Sequence, residues 1–296
     1  MAKGMRTMRL RSLNVVDRCT IAYNMAVLAL ILLFHSRIPH WHLLLLPNII
    51  AIAVVSALAL VVGDSASLGP RLIRNLAPLG FFLPMYAQTG SINHIVFPGF
   101  LDPLFVRIEG HVFGFQPAVV LAQRFPQTWF AEYMHFAYAS YYLLLPGLAV
   151  FLYLRRGRPA FLDYMFSVCA TMYVCYLIYI FLPVRGAASF GLDGASKGAS
   201  LPFTGVMALI YRYLEIEGAA FPSSHVAIAA VVLYYTVRYA RPAAWIIGPI
   251  VISLIVATVY CRYHYAIDAL AGAATAAILV PLWRRINPTP RAAILA

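Results

Sequence analysis

Residues 243–268 read AAWIIGPIVISLIVATVYCRYHYAID: an uncharged apolar run over 243–261, then a cation, a histidine and an acid within the next seven positions. A helix crossing the hydrocarbon of a bilayer needs about 20 largely apolar residues at about 1.5 Å each. The run meets that length, so it reads as a membrane span whose end carries the polar heptapeptide Arg262–Asp268. Working outward with the same test gives spans near 19–35, 41–63, 72–97, 128–154, 161–182, 222–240, 243–261 and 265–283. The third is interrupted by Pro78, Pro84, Gln88 and Gly90, which predicts a kinked or re-entrant segment. The expected fold is an all-α polytopic transmembrane helix bundle of about eight spans, forming a single integral membrane domain over 1–296.

Composition agrees. Of 296 residues, 62% are hydrophobic and 11% charged, with mean hydropathy +0.81, against about 25% charged in a soluble domain. A water-soluble globular protein is excluded. The net charge of +12 raises the question of nucleic acid, and the placement of the cations answers it. With the N-terminus in the cytoplasm, fifteen of the 22 Lys and Arg fall on cytoplasmic segments: Lys3, Arg6, Arg9, Arg11, Arg18, Arg71, Arg74, Arg155, Arg156, Arg158, Arg238, Arg241, Arg284, Arg285 and Arg291. Arg37, Arg107, Arg124, Arg185, Lys197, Arg212 and Arg262 fall outside, where seven acids balance them (Asp102, Glu109, Glu132, Asp193, Glu215, Glu217 and Asp268). Asp17, Asp64 and Asp163 are the acids inside. The whole surplus is therefore cytoplasmic, as the positive-inside rule requires, and both termini are expected there. This pattern argues for topology and anionic headgroups, not for a nucleic-acid groove.

Residues 98–127 separate N-terminal spans (1–97) from the remainder (128–285). The part over 100–125 mixes aromatics with Asp102, Arg107, Glu109 and His111, which suits a helix lying in the interface. A polar loop over 183–219 has the length of a lid or binding segment. Cys19, Cys169, Cys175 and Cys261 show no CxxC pair or metal-type cluster and read as packing residues. The first apolar run lacks a small-residue cleavage site and reads as a retained span.

Ionisable side chains beside membrane spans are costly, and each asks for a reason. At one such place, Phe221-Pro222-Ser223-Ser224-His225 opens the sixth span, with Pro222 suited to a first helical turn. Free N–H groups and hydroxyls at a helix start can bind phosphate, although the same residues also make an ordinary cap. In Arg262–Asp268, His264 and Asp268 are four apart and share a helix face. The carboxylate can fix the imidazole tautomer and leave the other nitrogen free to attack an electrophile, or the pair can be structural. Arg262 offers a forked cation for phosphate oxygens. Two histidines, an acid, an arginine and a helix start on one membrane side form a set suited to phosphoryl transfer.

FPSSH at Phe221–His225 and RYHYAID at Arg262–Asp268 resemble the second and third signature motifs of the type 2 phosphatidic acid phosphatase (PAP2) superfamily. The resemblance implies a six-helix core within 128–285, with His264 as nucleophile, His225 as general acid and Asp268 orienting His264. It also implies that Ser223, Ser224 and Arg262 hold phosphate oxygens, with no metal or other cofactor. The superfamily's usual first motif, a lysine followed seven residues later by Arg-Pro, is absent from the outer side, and Arg158-Pro159 lies in a cytoplasmic loop. Thr258 stands where an arginine usually precedes the third-motif histidine by six. Arg185, in Pro183–Gly186, is the substitute phosphate ligand expected here. Leu101–Pro117 and Glu132–Leu145 look like the branch containing inositol phosphorylceramide synthases and bacterial relatives. On that likeness His135, Tyr138 and Tyr142, with Tyr141 beside them, are candidates to line a lipid or acceptor cleft, the alternative being interfacial anchors. His94 and His111 read as interfacial.

The activity expected is hydrolysis of a lipid phosphoester through a phosphohistidine, that is, a lipid phosphatase. A phosphotransferase passing a phospho-headgroup such as phosphoinositol to a lipid or polyol hydroxyl would use the same residues. A vanadate-dependent haloperoxidase shares this type of site, but a lipid ester is the simpler substrate for a membrane-embedded chain. A non-enzymatic lipid or solute carrier would instead place charges near the bilayer middle and show a repeat, and neither is visible. The expected partner is a membrane lipid. The expected setting is a bacterial plasma membrane with the site on its extracytoplasmic face.

Overall fold

The computed structural model describes residues 13–62, 67–190 and 201–286, and these are nearly all helical. Lys3, Arg6, Arg9, Arg11, Asp64, Asp193, Lys197 and Arg291, counted in the charge balance, lie outside the described residues, as does 191–200 of the long loop.

Helices α1 (Val15–Leu33) and α2 (Trp41–Val62) pack together at the start of the chain. Asn14 accepts from the N–H groups of Val16 and Asp17 while Asp17 accepts from the N–H of Asn14, a reciprocal capping box. The third expected span forms two short helices, α3 (Leu68–Gly80) and α4 (Phe82–Ile92). Pro84 has no N–H to give the Gly80 carbonyl and its ring crowds it, so the helix stops and restarts with Pro84 in the new first turn. Next, α5 (Asp102–Phe113) and α6 (Pro117–Arg124) are bent by 67°. Gly114, at φ +76° between them, supplies a left-handed position that suits glycine.

The pair α7 (Thr128–Ala139) and α8 (Tyr141–Arg155) meet at Ser140 and together form one 28-residue span. Then come α9 (Gly157–Phe181), α10 (Pro202–Leu214), α11 (Ser224–Tyr239), α12 (Ala244–Tyr260) and α13 (Ala266–Ile286). Among the described residues, six helical segments are long and apolar enough to cross a membrane, or seven if the bent α5–α6 pair counts as one. Neither α3 nor α4 reaches that length, and α11 has only 16 residues. Helix α11 is an interior helix, covered by its neighbours. It packs on α8, α9, α12 and α13, and its apolar residues meet protein on most sides.

Helix α9 is the axis of the bundle, contacting α1, α4, α8, α11 and α13, with 78% of its apolar window buried. Helix α2, with 22% of its window buried, presents Leu43, Leu46, Ile49 and Leu60 outward, as a lipid-facing helix does. At the end of α9 opposite the motifs, Asp163 accepts from the Tyr235 hydroxyl at 2.8 Å and the Tyr239 hydroxyl at 3.0 Å, with Arg238 Nε at 3.9 Å. At that end too, Arg74 on α3 meets Asp17 on α1 at 3.2 Å, both buried.

Candidate active site

The two motifs meet where α11 and α13 begin. Gly272 makes the approach possible, because a Cβ there would lie 2.4 Å from the Ser223 carbonyl oxygen. The Ser223 N–H donates to the Asp268 carbonyl at 3.0 Å, tying one helix start to the other. Ser223 is the N-cap of α11, its Oγ accepting from the Val226 N–H at 3.3 Å. Pro222 therefore lies outside the helix, ahead of the cap, and not in its first turn. The Ser224 N–H donates to the Tyr179 hydroxyl at 3.2 Å, and that hydroxyl donates to the Pro222 carbonyl at 3.0 Å. Three of the four donors at this helix start, those of Ser223, Ser224 and Val226, are thus used within the protein.

Between α12 and α13 the chain reverses through Arg262, whose φ of +63° is uncommon for a side-chain-bearing residue and marks a forced turn. The His264 N–H returns to the Thr258 carbonyl at 3.0 Å. Thr258 is buried and its hydroxyl donates to the Ile255 carbonyl, so this position carries no phosphate ligand. His264 Nδ1 and Asp268 Oδ2 lie 3.6 Å apart, and the same oxygen accepts from the Tyr265 N–H at 2.9 Å. The His225 and His264 ring centres are 5.9 Å apart.

Both histidines open on one cavity of about 420 Å³, within the range of about 300–1,000 Å³ usual for small-ligand sites. Of the residues singled out from the sequence, Ser224, Arg185, Tyr138, Tyr141 and Tyr142 line it as well. Ser223 and Arg262 do not. Ser223 is fully buried as a cap, and Arg262 is buried with Nε and Nη1 lacking a hydrogen-bond partner among the described residues. His135 is buried away from the cavity, its Nδ1 donating to the Ala131 carbonyl at 2.7 Å. His94 and His111 each bond a nearby backbone carbonyl at an exposed position, as interfacial residues do. The Tyr138 hydroxyl lies 3.3 and 3.2 Å from the two ring nitrogens of His225, and Tyr141 packs on the same ring at 4.4 Å. Tyr263, which the sequence reading passed over, lines the cavity and stacks on Tyr211 at 4.1 Å. Burial pushes its phenol above the ordinary tyrosine range, so it stays a neutral donor.

The carboxylates of the interfacial segment hold this end together. Asp102, fully buried, accepts from the N–H groups of Arg185 and Gly186 at 3.1 Å each and from the Tyr265 hydroxyl at 3.1 Å. Glu109 accepts from the N–H groups of Ala266 and Ile267, at 2.6 and 3.3 Å, and so caps α13. Glu132 does the same for α10 through Phe203, Thr204 and the Thr204 hydroxyl. Asp102, Phe105 and Glu109 share one buried face of α5. Acids on an apolar face are the sequence signal that would have marked them as clamps. Arg185 itself lies over the Phe100 ring at 4.6 Å, 3.9 Å from Asp102 and 4.0 Å from Glu217. Gly186, at φ +102°, passes so close to Tyr263 that a Cβ would lie 2.5 Å from its carbonyl oxygen.

A family model described as the PAP2 superfamily matches residues 105–282, more than half of the chain. The chain belongs to the PAP2 superfamily. Its members are typically phosphatases, and membership suggests phosphatase-type phosphoryl transfer on lipid-like substrates. No curated protein matches the chain, and no solved structure does. The matched region of this PAP2 chain runs from inside α5 to inside α13, so it includes Glu109 and both histidine motifs but excludes α1 to α4. Among the described residues no group of three or more His, Cys, Asp or Glu side chains is placed to hold a metal ion.

Proposed function

We propose that the protein is a lipid phosphatase that works through a phosphohistidine. The Nε2 lone pair of His264 attacks phosphorus while Asp268 holds the ring through Nδ1. The bond from phosphorus to the alcohol oxygen breaks, and His225 gives its proton to the leaving alkoxide. In the second step water loses a proton to His225 and attacks the phosphohistidine. The P–N bond breaks, phosphate leaves and both histidines return to their starting states. Ser224 and Arg185, which face the cavity, are the nearest candidates for the phosphate oxygens. Ser223 acts through the cap that aims Ser224 and His225. Arg262 joins the phosphate site if its buried guanidinium turns towards the ligand.

The observation that carries this reading is the pair of histidine rings 5.9 Å apart on one cavity, with a buried carboxylate behind only one of them. That asymmetry suits one nucleophile and one proton carrier. The tyrosines around His225 leave room for a second reading, in which an alcohol instead of water takes the phosphoryl or phospho-headgroup. The inositol phosphorylceramide synthase-like branch belongs to that reading. The positive-inside pattern supports eight traversals with both termini in the cytoplasm and the site on the extracytoplasmic face of a plasma membrane, α3–α4 and α11 making the short crossings.

The test is purified protein incubated with lipid phosphate monoesters and diesters, with and without added inositol or lipid alcohols, followed by mass spectrometry. Free phosphate, lost in His264→Ala, is the expected result. A new phosphodiester selects transfer, and phosphate release retained in His264→Ala rejects the mechanism.

A further inference from the structure

The cavity that holds the histidines has two ends of unlike chemistry. The polar end carries His225, His264, Arg185 and Ser224. The other end is walled by Leu79, Phe82, Leu83, Leu145 and Met172, with no charged side chain among them. Its depth can be read along the chain: Tyr138 lies beside His225, and Pro146, eight residues on, still lines the space, roughly 12 Å away at helical rise. On α9, likewise, Met172 lies a full turn below Tyr176.

Helices α4 and α8 both pack on α9, each more closely than on the other, and the apolar end lies between them. Leu83, 49% exposed, and Tyr142, 41% exposed, flank it on the outside of the bundle. The wall is fixed. The Tyr176 hydroxyl donates to the Phe82 carbonyl at 3.2 Å just past the helix break, the Phe82 ring meets Tyr173 and Tyr176 edge-on, and Gln88 donates to the Leu44 carbonyl on α2 at 2.6 Å. Residues 79–83 precede the segment that the PAP2 family model matches.

We propose that the α3–α4 pair forms one wall of a slot for a single hydrocarbon chain of the phosphoester, entered sideways from the bilayer between Leu83 and Tyr142. Leu79, Phe82 and Leu83 then decide which chain lengths are accepted. The occupant follows from continuity, because the apolar end is joined without a partition to the site where the phosphate sits. A molecule that fills both ends has a phosphate head and an alkyl tail. Burying each further methylene favours binding by about fourfold, so the slot discriminates by length where the polar end does not. The inference rests on the phosphoryl-transfer reading of the same cavity.

Two measurements test it. The first compares kcat/KM for p-nitrophenyl, octyl and hexadecyl phosphate in one detergent, for the natural protein and for Leu79→Trp and Leu83→Trp. The expected result is a preference for the hexadecyl ester over the octyl ester that falls about tenfold or more in the variants, with a much smaller loss on the chainless ester. An unchanged preference, or the same loss on all three esters, overturns the slot. The second needs no turnover: hexadecylphosphonate with a diazirine at the chain end is photolysed on the protein and the labelled peptides are mapped. Label on 76–86, 141–146 or 172–176 that falls in Leu83→Trp supports the slot, and label elsewhere overturns it. If the natural protein releases phosphate from none of the esters, the phosphatase reading fails, and the photolabel still decides where a chain-bearing phosphonate lies.

Discussion

Asp163 and Asp268 are both buried carboxylates on helices of the central bundle, near its opposite ends, and their surroundings differ in kind. Both oxygens of Asp163 are engaged by tyrosine hydroxyls, Tyr235 on one and Tyr239 on the other, and what is left without a hydrogen bond among the described residues there is Arg238 Nε, 3.9 Å from the carboxylate. Ser167 meets the Tyr235 hydroxyl at 2.7 Å and extends the network. At Asp268 only Oδ2 is engaged, by the Tyr265 N–H and the more distant His264, while Oδ1 has no partner among the described residues. Nearby, His264 Nδ1 and Arg262 Nε and Nη1 also lack hydrogen bonds among the described residues. Buried polar groups are rarely left unpaired, since each costs about 1–3 kcal/mol. The closed network has the form of a fastening. The open one holds capacity that a ligand, or a short movement of His264 towards Asp268, would satisfy.

Substitution at each end sharpens the contrast. The largest effect is expected at the open site. Asp268→Asn keeps the shape but removes the charge that holds the His264 ring, and kcat is expected to fall by about 10²–10⁴ with the melting temperature little moved. Phosphate release and thermal unfolding in the same detergent check both halves. A fall in melting temperature with kcat per folded molecule preserved would erase the distinction between the two ends.

Asp163→Asn should behave in the opposite way. An amide presents an N–H₂ where two hydroxyls were donating, so one buried donor loses its acceptor at a cost of about 1–3 kcal/mol. The expected result is a lowered melting temperature with unchanged turnover per folded molecule. A selective loss of kcat would mean that the two ends are coupled through α9 and α11, and that the closed network is more than a fastening.

How far these features could be read from the sequence depends on how far apart their partners lie. The closeness of His264 and Asp268 was legible because four positions is a local separation, although His264 lies in the turn before α13 and does not share a helix face with Asp268; the apolar runs were legible because a span is a length. The Asp102 to Tyr265 bond joins residues 163 positions apart, and no pattern in either segment announces the other. FPSSH was ambiguous for a different reason: a serine that caps a helix and a serine that binds phosphate carry the same signature. Only the bond from Val226 to Ser223 Oγ assigns Ser223 to the cap and leaves Ser224 to the cavity. The tail end of the cavity was hidden because α3–α4 read as a damaged span, when its damage, Pro84 behind Gly80, is what forms the wall.

Glu109 tests whether the comparison has a middle case. It lies at the open end, but it acts as a cap, accepting from two N–H groups of α13 with Oε1 while Oε2 has no partner among the described residues. Burial holds its carboxyl above the ordinary range, against the pull of those N–H groups, and the nearby Asp268 charge adds to the rise. Glu109→Gln keeps an oxygen for the two donors and removes the charge facing the positive end of α13, an interaction of about 0.3–1 kcal/mol. The melting temperature is therefore expected to shift slightly and kcat to fall severalfold, through His264 and Asp268 less firmly placed, with KM for a long-chain ester unchanged. A fall in kcat as large as that of Asp268→Asn would put Glu109 in the proton chemistry, and a loss of stability as large as that of Asp163→Asn would make the open end as much a fastening as the closed one.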